Sequence, residues 1–265
     1  MGLGDQVLAT SFAKGARERG KRIALGDGTR LLWDHHSEQV FRNNPNLVHR
    51  GESVIADDVE WVHWFKGLRH YNNQAPGRWI WNYSFAAKPG EFFFTESERA
   101  IARRLGLPKR FIVVEPSTIK LQRDRYFLNK IWPLDRYNQL VNALRSEGHK
   151  VVQFLYDDRG PRLPGAQLVQ TPTYRQAAAI LAEASLYIGS EGGLHHAAAA
   201  VGIPAVVMFG GWVPPAVLGY DFHTNLTGGA TEFCGLFQPC EHCARAMAAI
   251  SVEEALEAAR AHLSA

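Results

Sequence analysis

A chain of 265 residues, 46% hydrophobic and 21% charged, has the make-up of a globular protein with one large domain or two compact ones. Disorder, collagen-like repeats and coiled coil are excluded as the main architecture, and no run approaches the roughly 18–20 apolar residues of a membrane-spanning helix. The net charge of +3 suits approach of an anionic substrate but falls short of the dense basic patch of a dedicated nucleic-acid binder.

The N-terminus has no basic stretch followed by an apolar core, so no signal peptide is expected. Three cysteines, Cys234, Cys240 and Cys243, are too few and too clustered for a secreted disulfide framework. The expected location is the cytoplasm or the inner face of its membrane, where peripheral contact is allowed for.

Gln6–Arg19 reads as a helix with Val7, Leu8, Phe12 and Ala16 inward, and no strand precedes it. Arg22–Leu25 and Arg30–Trp33 read as short strands, and Ser37–Phe41 as a brief helix. Eleven aromatics lie between Trp61 and Phe94. They suit either an acceptor-binding surface or the core of a small domain, and the core reading is favoured because aromatics dominate cores generally. Thr95–Leu107 reads as a charged helix and Gly106–Arg110 as a linker.

Beyond the linker, strands alternate with helices. Phe111–Glu115, Lys150–Tyr156, Leu186–Gly189 and Ala205–Phe209 read as strands. Helices fall at Pro133–Ser146, stopped by Gly148, after the Thr173–Gln176 capping box, and at Gly193–Val201, stopped by Gly202. Each strand is apolar on both faces, which predicts a parallel sheet covered by helices. A last helix opens at Ser251, with Val252, Ala255, Leu256, Ala259 and Leu263 as its apolar stripe.

The strongest chemical signal is Gly189-Ser190-Glu191-Gly192-Gly193-Leu194-His195-His196, after a strand and opening a helix. Glycines there let backbone N–H groups approach a ligand, and a helix N-terminus favours a phosphate or diphosphate. Alone, a plain connecting turn fits equally well. There is no GxxxxGK[ST], no Asp-x-Asp pair and no GxSxG elbow, and Gly2-Leu3-Gly4-Asp5 lacks the preceding strand of a dinucleotide fingerprint.

Gly2-Leu3-Gly4-Asp5-Gln6-Val7-Leu8-Ala9-Thr10, Asn129-Lys130-Ile131-Trp132-Pro133, and Glu191 to Ala199 running on to Phe209-Gly210 occur in the order seen in the family 9 glycosyltransferases, which the chain resembles. These are the ADP-heptose:lipopolysaccharide heptosyltransferases and their relatives. The resemblance implies an α/β, GT-B-like fold of two Rossmann-like domains facing a cleft, here with a small N-terminal one lacking its usual first strand. The expected division is 1–106 on the acceptor side and 107–265 on the nucleotide-sugar side, the last helix able to cross back. The resemblance also implies an inverting transfer of a sugar, heptose in the relatives, from a nucleotide-diphosphate donor such as ADP-heptose to a glycan, lipid-linked glycan or protein acceptor, with no cofactor required for catalysis.

By the same resemblance Asp5 is the general base. Ser117, Thr118 and Lys130 contact the donor, and Glu191, Gly192, Gly193, Leu194 and His196 form the diphosphate loop. Each has an ordinary alternative: a cap for Asp5, a solvated charge for Lys130, a packing residue for His196. The chain departs from the family in having Glu191-Gly192-Gly193 for the usual Asp-(Thr/Ser)-Gly, and in a longer Ile119–Asn129 segment. Asp157-Asp158 and Thr171-Pro172 are expected neighbours of the ribose and base. Cys234, Cys240 and Cys243, with His242 or His223 as a fourth ligand, are candidates for a structural zinc or iron; reduced cysteines in a loop are the alternative. Rival functions are a catalytically impaired nucleotide-sugar-binding or scaffold protein and a GT-B-fold sugar-nucleotide epimerase.

Overall fold

The computed structural model describes residues 1–53, 55–116, 128–157 and 160–264. Ser117, Thr118 and Asp158 lie outside the described residues. The helix expected over Gln6–Arg19 is two: α1 (Leu3–Thr10) and α2 (Ala13–Glu18). The break follows Thr10, whose hydroxyl donates to the Val7 carbonyl at 2.7 Å and accepts from the Glu91 N–H at 2.8 Å. A crossing segment therefore docks where the helix would have continued.

β1 (Arg22–Gly26) pairs in parallel with β2 (Val59–His63), and α3 (His35–Phe41) lies between them in sequence. Asp34 caps α3, accepting from the N–H groups of His36 and Ser37. The strand expected at Arg30–Trp33 is a single bridge between Gly26 and Leu31. β3 (Asn72–Ala75) and β4 (Arg78–Trp81) form an antiparallel hairpin that turns at Gly77, φ 73°. The expected Thr95–Leu107 helix is divided at Ala100 into α4 (Glu96–Arg99) and α5 (Ile101–Arg104).

The second part carries β5 (Ile112–Glu115), α6 (Leu134–Ser146), β6 (Val151–Leu155), β7 (Gln167–Gln170), α7 (Tyr174–Leu181), β8 (Leu186–Ser190) and α8 (Gly193–Ala200). It continues through β9 (Ala205–Met208), α9 (Pro215–Leu218), β10 (Thr224–Leu226), α10 (Glu241–Ala249) and α11 (Val252–Ser264). Six strands form one parallel sheet in the order β7-β6-β5-β8-β9-β10. This is a doubly wound order, and it reverses direction between β5 and β8. Such a reversal opens a crevice at the carboxyl ends of the strands, where ligands bind in open α/β sheets.

Alternating side chains put the sheet between two apolar layers. Ile112, Val114, Ile188, Val206 and Met208 meet Leu140, Val141 and Leu144 of α6 and Ala255 and Ala259 of α11. Val113, Tyr187 and Val207 face the other way, in a core that continues into Val7, Leu8, Ile23, Phe41 and Trp64. The last helix packs on α6, β8 and β9 rather than crossing back, because its apolar stripe fits that face of the sheet. Among the described residues no helix is long and apolar enough to cross a membrane.

Candidate functional site

The expected strand–glycine–helix turn lies at the reversal point. β8 ends at Ser190, and Gly192 is the cap residue of α8. The first turn of a helix points its N–H groups out of its N-terminus, here toward a cavity lined by Gly192, Gly193 and Leu194. α1 runs against this turn. A Cβ on Gly4 would stand 2.9 Å from His196 Cδ2 and 3.4 Å from the Gly193 Cα, so only glycine fits without displacement. That close approach sets Asp5 on the wall of the same cavity.

Lys130, at the end of a short 3-10 turn, pairs with the Glu191 carboxylate; the two are 9% and 3% exposed. The Lys130 Nζ also stands 4.3 Å from the centre of the Trp212 ring, a cation–π distance. The other Glu191 oxygen is 3.4 Å from His196 Nε2, and His196 Nδ1 meets the Tyr220 hydroxyl at 2.8 Å. Burial works to raise the Glu191 pKa, but the Lys130 charge and the His196 contact outweigh it and hold the carboxyl below its ordinary range. Lys130 is thus a buried, paired cation and not a solvated one.

Asp5 is held on three sides. Its Oδ1 accepts from the Tyr71 hydroxyl at 2.5 Å and is 3.2 Å from Arg69 Nε; its Oδ2 accepts from the Gly2 N–H at 2.8 Å. Burial first, and the Asp5 charge next, push the Tyr71 phenol well above its usual pKa, so it stays a donor. The Arg69 guanidinium lies 5.2 Å from the centre of the Trp79 ring.

Asp5, Lys130, Glu191, Gly192, Gly193, Leu194 and His196 therefore all line one cavity. Thr171 lines it too, as do Tyr156 and Thr173 at the ends of β6 and β7. Lining residues that sequence reasoning missed are Arg69, Glu115 and Trp212, while Tyr71 entered it only as one of the eleven aromatics. Glu115 was findable as the last residue of the strand at the reversal point; Arg69 and Tyr71 belong to no motif. Within the aromatic-rich segment Trp64 is fully buried in the core, whereas Tyr71, Trp79 and the buried Trp81 line the cavity. Trp61 and Tyr83 are exposed.

None of the three cysteines lines this cavity. The sulfurs of Cys234, Cys240 and Cys243 are 3.2–3.6 Å from one another. Backbone N–H groups of Leu236 and Cys243 point at the sulfurs of Cys234 and Cys240, at 3.5 and 3.4 Å. A hydrogen bond from Cys243 is the foremost reason that the Cys234 thiol is lowered to about 5, while Cys243 is raised. This donor set fits a thiophilic ion such as zinc or iron on three sides. Neither histidine expected as a fourth ligand joins it. His242 Nε2 is 2.9 Å from the Glu232 carbonyl, and His223 Nε2 is 3.1 Å from that of Ile203. A backbone carbonyl has captured each ring.

The sequence profile of glycosyltransferase family 9 (heptosyltransferase) matches residues 63–221, more than half of the chain. The chain belongs to glycosyltransferase family 9. Among solved structures, the family 9 glycosyl transferase of Veillonella parvula is 17% identical, with 68% of this chain and 55% of that one covered and a TM-score of 0.51. This likeness supports the α/β, GT-B-like fold. Escherichia coli ADP-heptose lipopolysaccharide heptosyltransferase II is 18% identical over 66% of this chain and 54% of its own, TM-score 0.49. The iron-containing dodecameric glycosyltransferase TibC of enterotoxigenic Escherichia coli is 16% identical over 60% and 47%, TM-score 0.47. No curated protein matches the family 9 chain in sequence. The chain spans about half the length of the solved relatives it matches.

Proposed function

We propose that this family 9 chain is a glycosyltransferase that moves a sugar, heptose in its named relatives, from a nucleotide-diphosphate donor such as ADP-heptose. Residues 107–265 hold the donor, and residues 1–106 supply the acceptor side. The observation that carries the reading is the meeting of Asp5, Lys130 and the glycine turn of α8 in one cavity at the reversal point of the sheet. The diphosphate lies over the N-terminus of α8, with Lys130 as its cation. Asp5 takes the proton from an acceptor hydroxyl as that oxygen attacks the anomeric carbon from the face opposite the diphosphate, which inverts the centre. The C–O bond to the diphosphate breaks, and the departing charge passes to Lys130 and the backbone N–H groups of the turn. Thr171 and Tyr156 stand on the ribose and base side.

A second reading, a donor-binding protein impaired in transfer, draws on one observation: the Asp5 carboxylate is already engaged by Tyr71, Arg69 and the Gly2 N–H. Calorimetric titration with ADP, followed by ADP-heptose turnover against lipopolysaccharide-core and protein acceptors, separates the two. ADP binding with sugar transfer supports the enzyme. Binding without transfer favours the second reading, and no binding at millimolar ADP overturns both. Cys234, Cys240 and Cys243 are the residues that would hold a zinc or iron, whose part would be structural: it would close the loop they bound.

A further inference from the structure

The loop from Cys234 to Cys240 reaches the donor lysine from two sides. The buried Asn129 side chain spends its amide on this loop: Nδ2 donates to the carbonyls of Leu236 (3.1 Å) and Gln238 (2.9 Å), and Oδ1 accepts from the Cys240 N–H (2.9 Å). The next residue is Lys130. On the other side, Trp212 Nε1 donates to the Leu236 carbonyl at 2.7 Å. The N–H groups of Cys234 and Gly235 donate to the carbonyls of Gly211 and Trp212, at 3.0 and 3.1 Å. The Trp212 ring is the face that Lys130 Nζ covers. Lys130 therefore sits between two residues hung on one loop.

That loop has little regular structure of its own: residues 232–240 contain a single bridge, at Leu236. Its two ends are brought together where the Cys234 sulfur meets those of Cys240, the cap residue of α10, and Cys243 in its first turn. The β3–β4 hairpin grips its middle, through Trp79 N–H to the Gly235 carbonyl at 2.9 Å and Phe237 N–H to the Gly77 carbonyl at 3.0 Å. Closure at the sulfurs is the feature that a bound ion, oxidation or alkylation would change.

We propose that the Cys234–Cys240–Cys243 cluster is a positioning device for Lys130: closing the 234–240 loop sets Asn129 and Trp212, and these set the ammonium of Lys130 in the cavity. Only the consequence for donor binding rests on the donor reading above. Asn129 and the cysteines are positioning residues; none touches the substrate. The simpler alternative is that Asn129 merely satisfies loop carbonyls, with no effect on its neighbour.

The test uses the full chain with Asn129→Ala and Cys234→Ser, each alone and with Lys130→Ala. Acetylation of Lys130 by acetic anhydride, followed by peptide mass spectrometry, reads its protection without any ligand. ADP affinity by calorimetry reads the donor consequence. Each single variant is expected to raise Lys130 acetylation roughly fivefold or more, with the exposed Lys14 unchanged. ADP affinity is expected to fall about tenfold in each, with no further fall on a Lys130→Ala background. Unchanged Lys130 acetylation, or losses of affinity that add in full to that of Lys130→Ala, overturns the coupling. Should a variant fail to melt cooperatively, reversible thiolation of the wild-type cysteines by methyl methanethiosulfonate replaces it, with the same readouts and recovery on reduction. If the wild type does not bind ADP, the donor reading fails, and the acetylation arm alone decides the coupling.

Discussion

The Lys130 ammonium and the Glu191 carboxylate neutralise each other inside the cavity, on two buried residues. Removing one partner of a buried pair leaves the other charge uncompensated, at a cost of about 3–5 kcal/mol, whereas replacing both is far milder. Lys130→Met should therefore destabilise the chain by about 3 kcal/mol, the lower end because His196 still faces Glu191. Adding Glu191→Gln should recover most of it. Urea unfolding of the two variants checks this; a single variant as stable as wild type would show that the pair does not hold the loop. ADP affinity should fall in both by roughly tenfold or more while staying measurable, since neither retains the cation.

Asp5 predicts a different separation. It lines the cavity beside the α8 turn, yet its partners Tyr71, Arg69 and Gly2 all belong to the first hundred residues. Asp5→Asn keeps the size and most of the contacts while removing the base. Transfer should fall by roughly 10²–10⁴-fold, with ADP affinity within about twofold of wild type. Turnover at the wild-type rate would remove Asp5 from its role.

The second half was legible in the sequence because its signals are local and strong. β5, β8 and β9 are buried on both faces, and Thr173 and Ser251 cap their helices as their spacing predicts, accepting from Gln176 N–H and Glu254 N–H. The edge strands were missed because they lack that signature: Gln167–Gln170 is mostly exposed, and Thr224–Leu226 is three residues long. In the first half, Arg69 and Tyr71 reach Asp5 across more than sixty residues of sequence, and no periodicity marks such a contact. Likewise nothing local announces that Asn129 serves the cysteine loop, a link across 111 residues. Glu191 was legible as a departure from its family, but its pairing with Lys130 needed the fold.

His195 and His223 make the protein acid-sensitive. Neither ring nitrogen of His195 has a hydrogen-bond partner among the described residues, and Nδ1 of His223 has none either. Burial is the foremost reason that His223 is lowered to about 4 and His195 held well below its ordinary range; His196 adds to both. A histidine depressed in the folded state binds its proton first in the unfolded chain, with a pKa of about 6.5. The contribution of these two histidines to stability is therefore expected to be full above about pH 6.5 and to fall as pH drops toward 4. His195→Leu removes one such group together with two buried orphan atoms. It should raise stability near pH 7 by about 1–2 kcal/mol and flatten the acid slope. Urea titrations near pH 7 and pH 5 decide this; an unchanged slope would clear His195 of the effect.

Two glycines in the first helices give a matched pair. In an open helix position, Gly→Ala stabilises by roughly 0.5–1 kcal/mol, because alanine has less backbone entropy to lose. Gly15 in α2 is such a position: an added Cβ would meet only the guanidinium end of Arg19, at 3.6 Å. Gly15→Ala should stabilise by that amount. Gly4 in α1 is the opposite case. Its added Cβ would press on His196 Cδ2 at 2.9 Å, and His196 is buried and held by Tyr220 and Glu191. Overpacking of that kind costs about 1–3 kcal/mol, more than the propensity gain. Gly4→Ala should therefore destabilise on balance, and the shift of α1 should carry Asp5 with it, reducing transfer more than ADP binding. Thermal melts of the two variants, with both activities measured, test the close approach of α1 to α8. If Gly4→Ala stabilises as Gly15→Ala does, that approach does not hold Asp5 in the cavity.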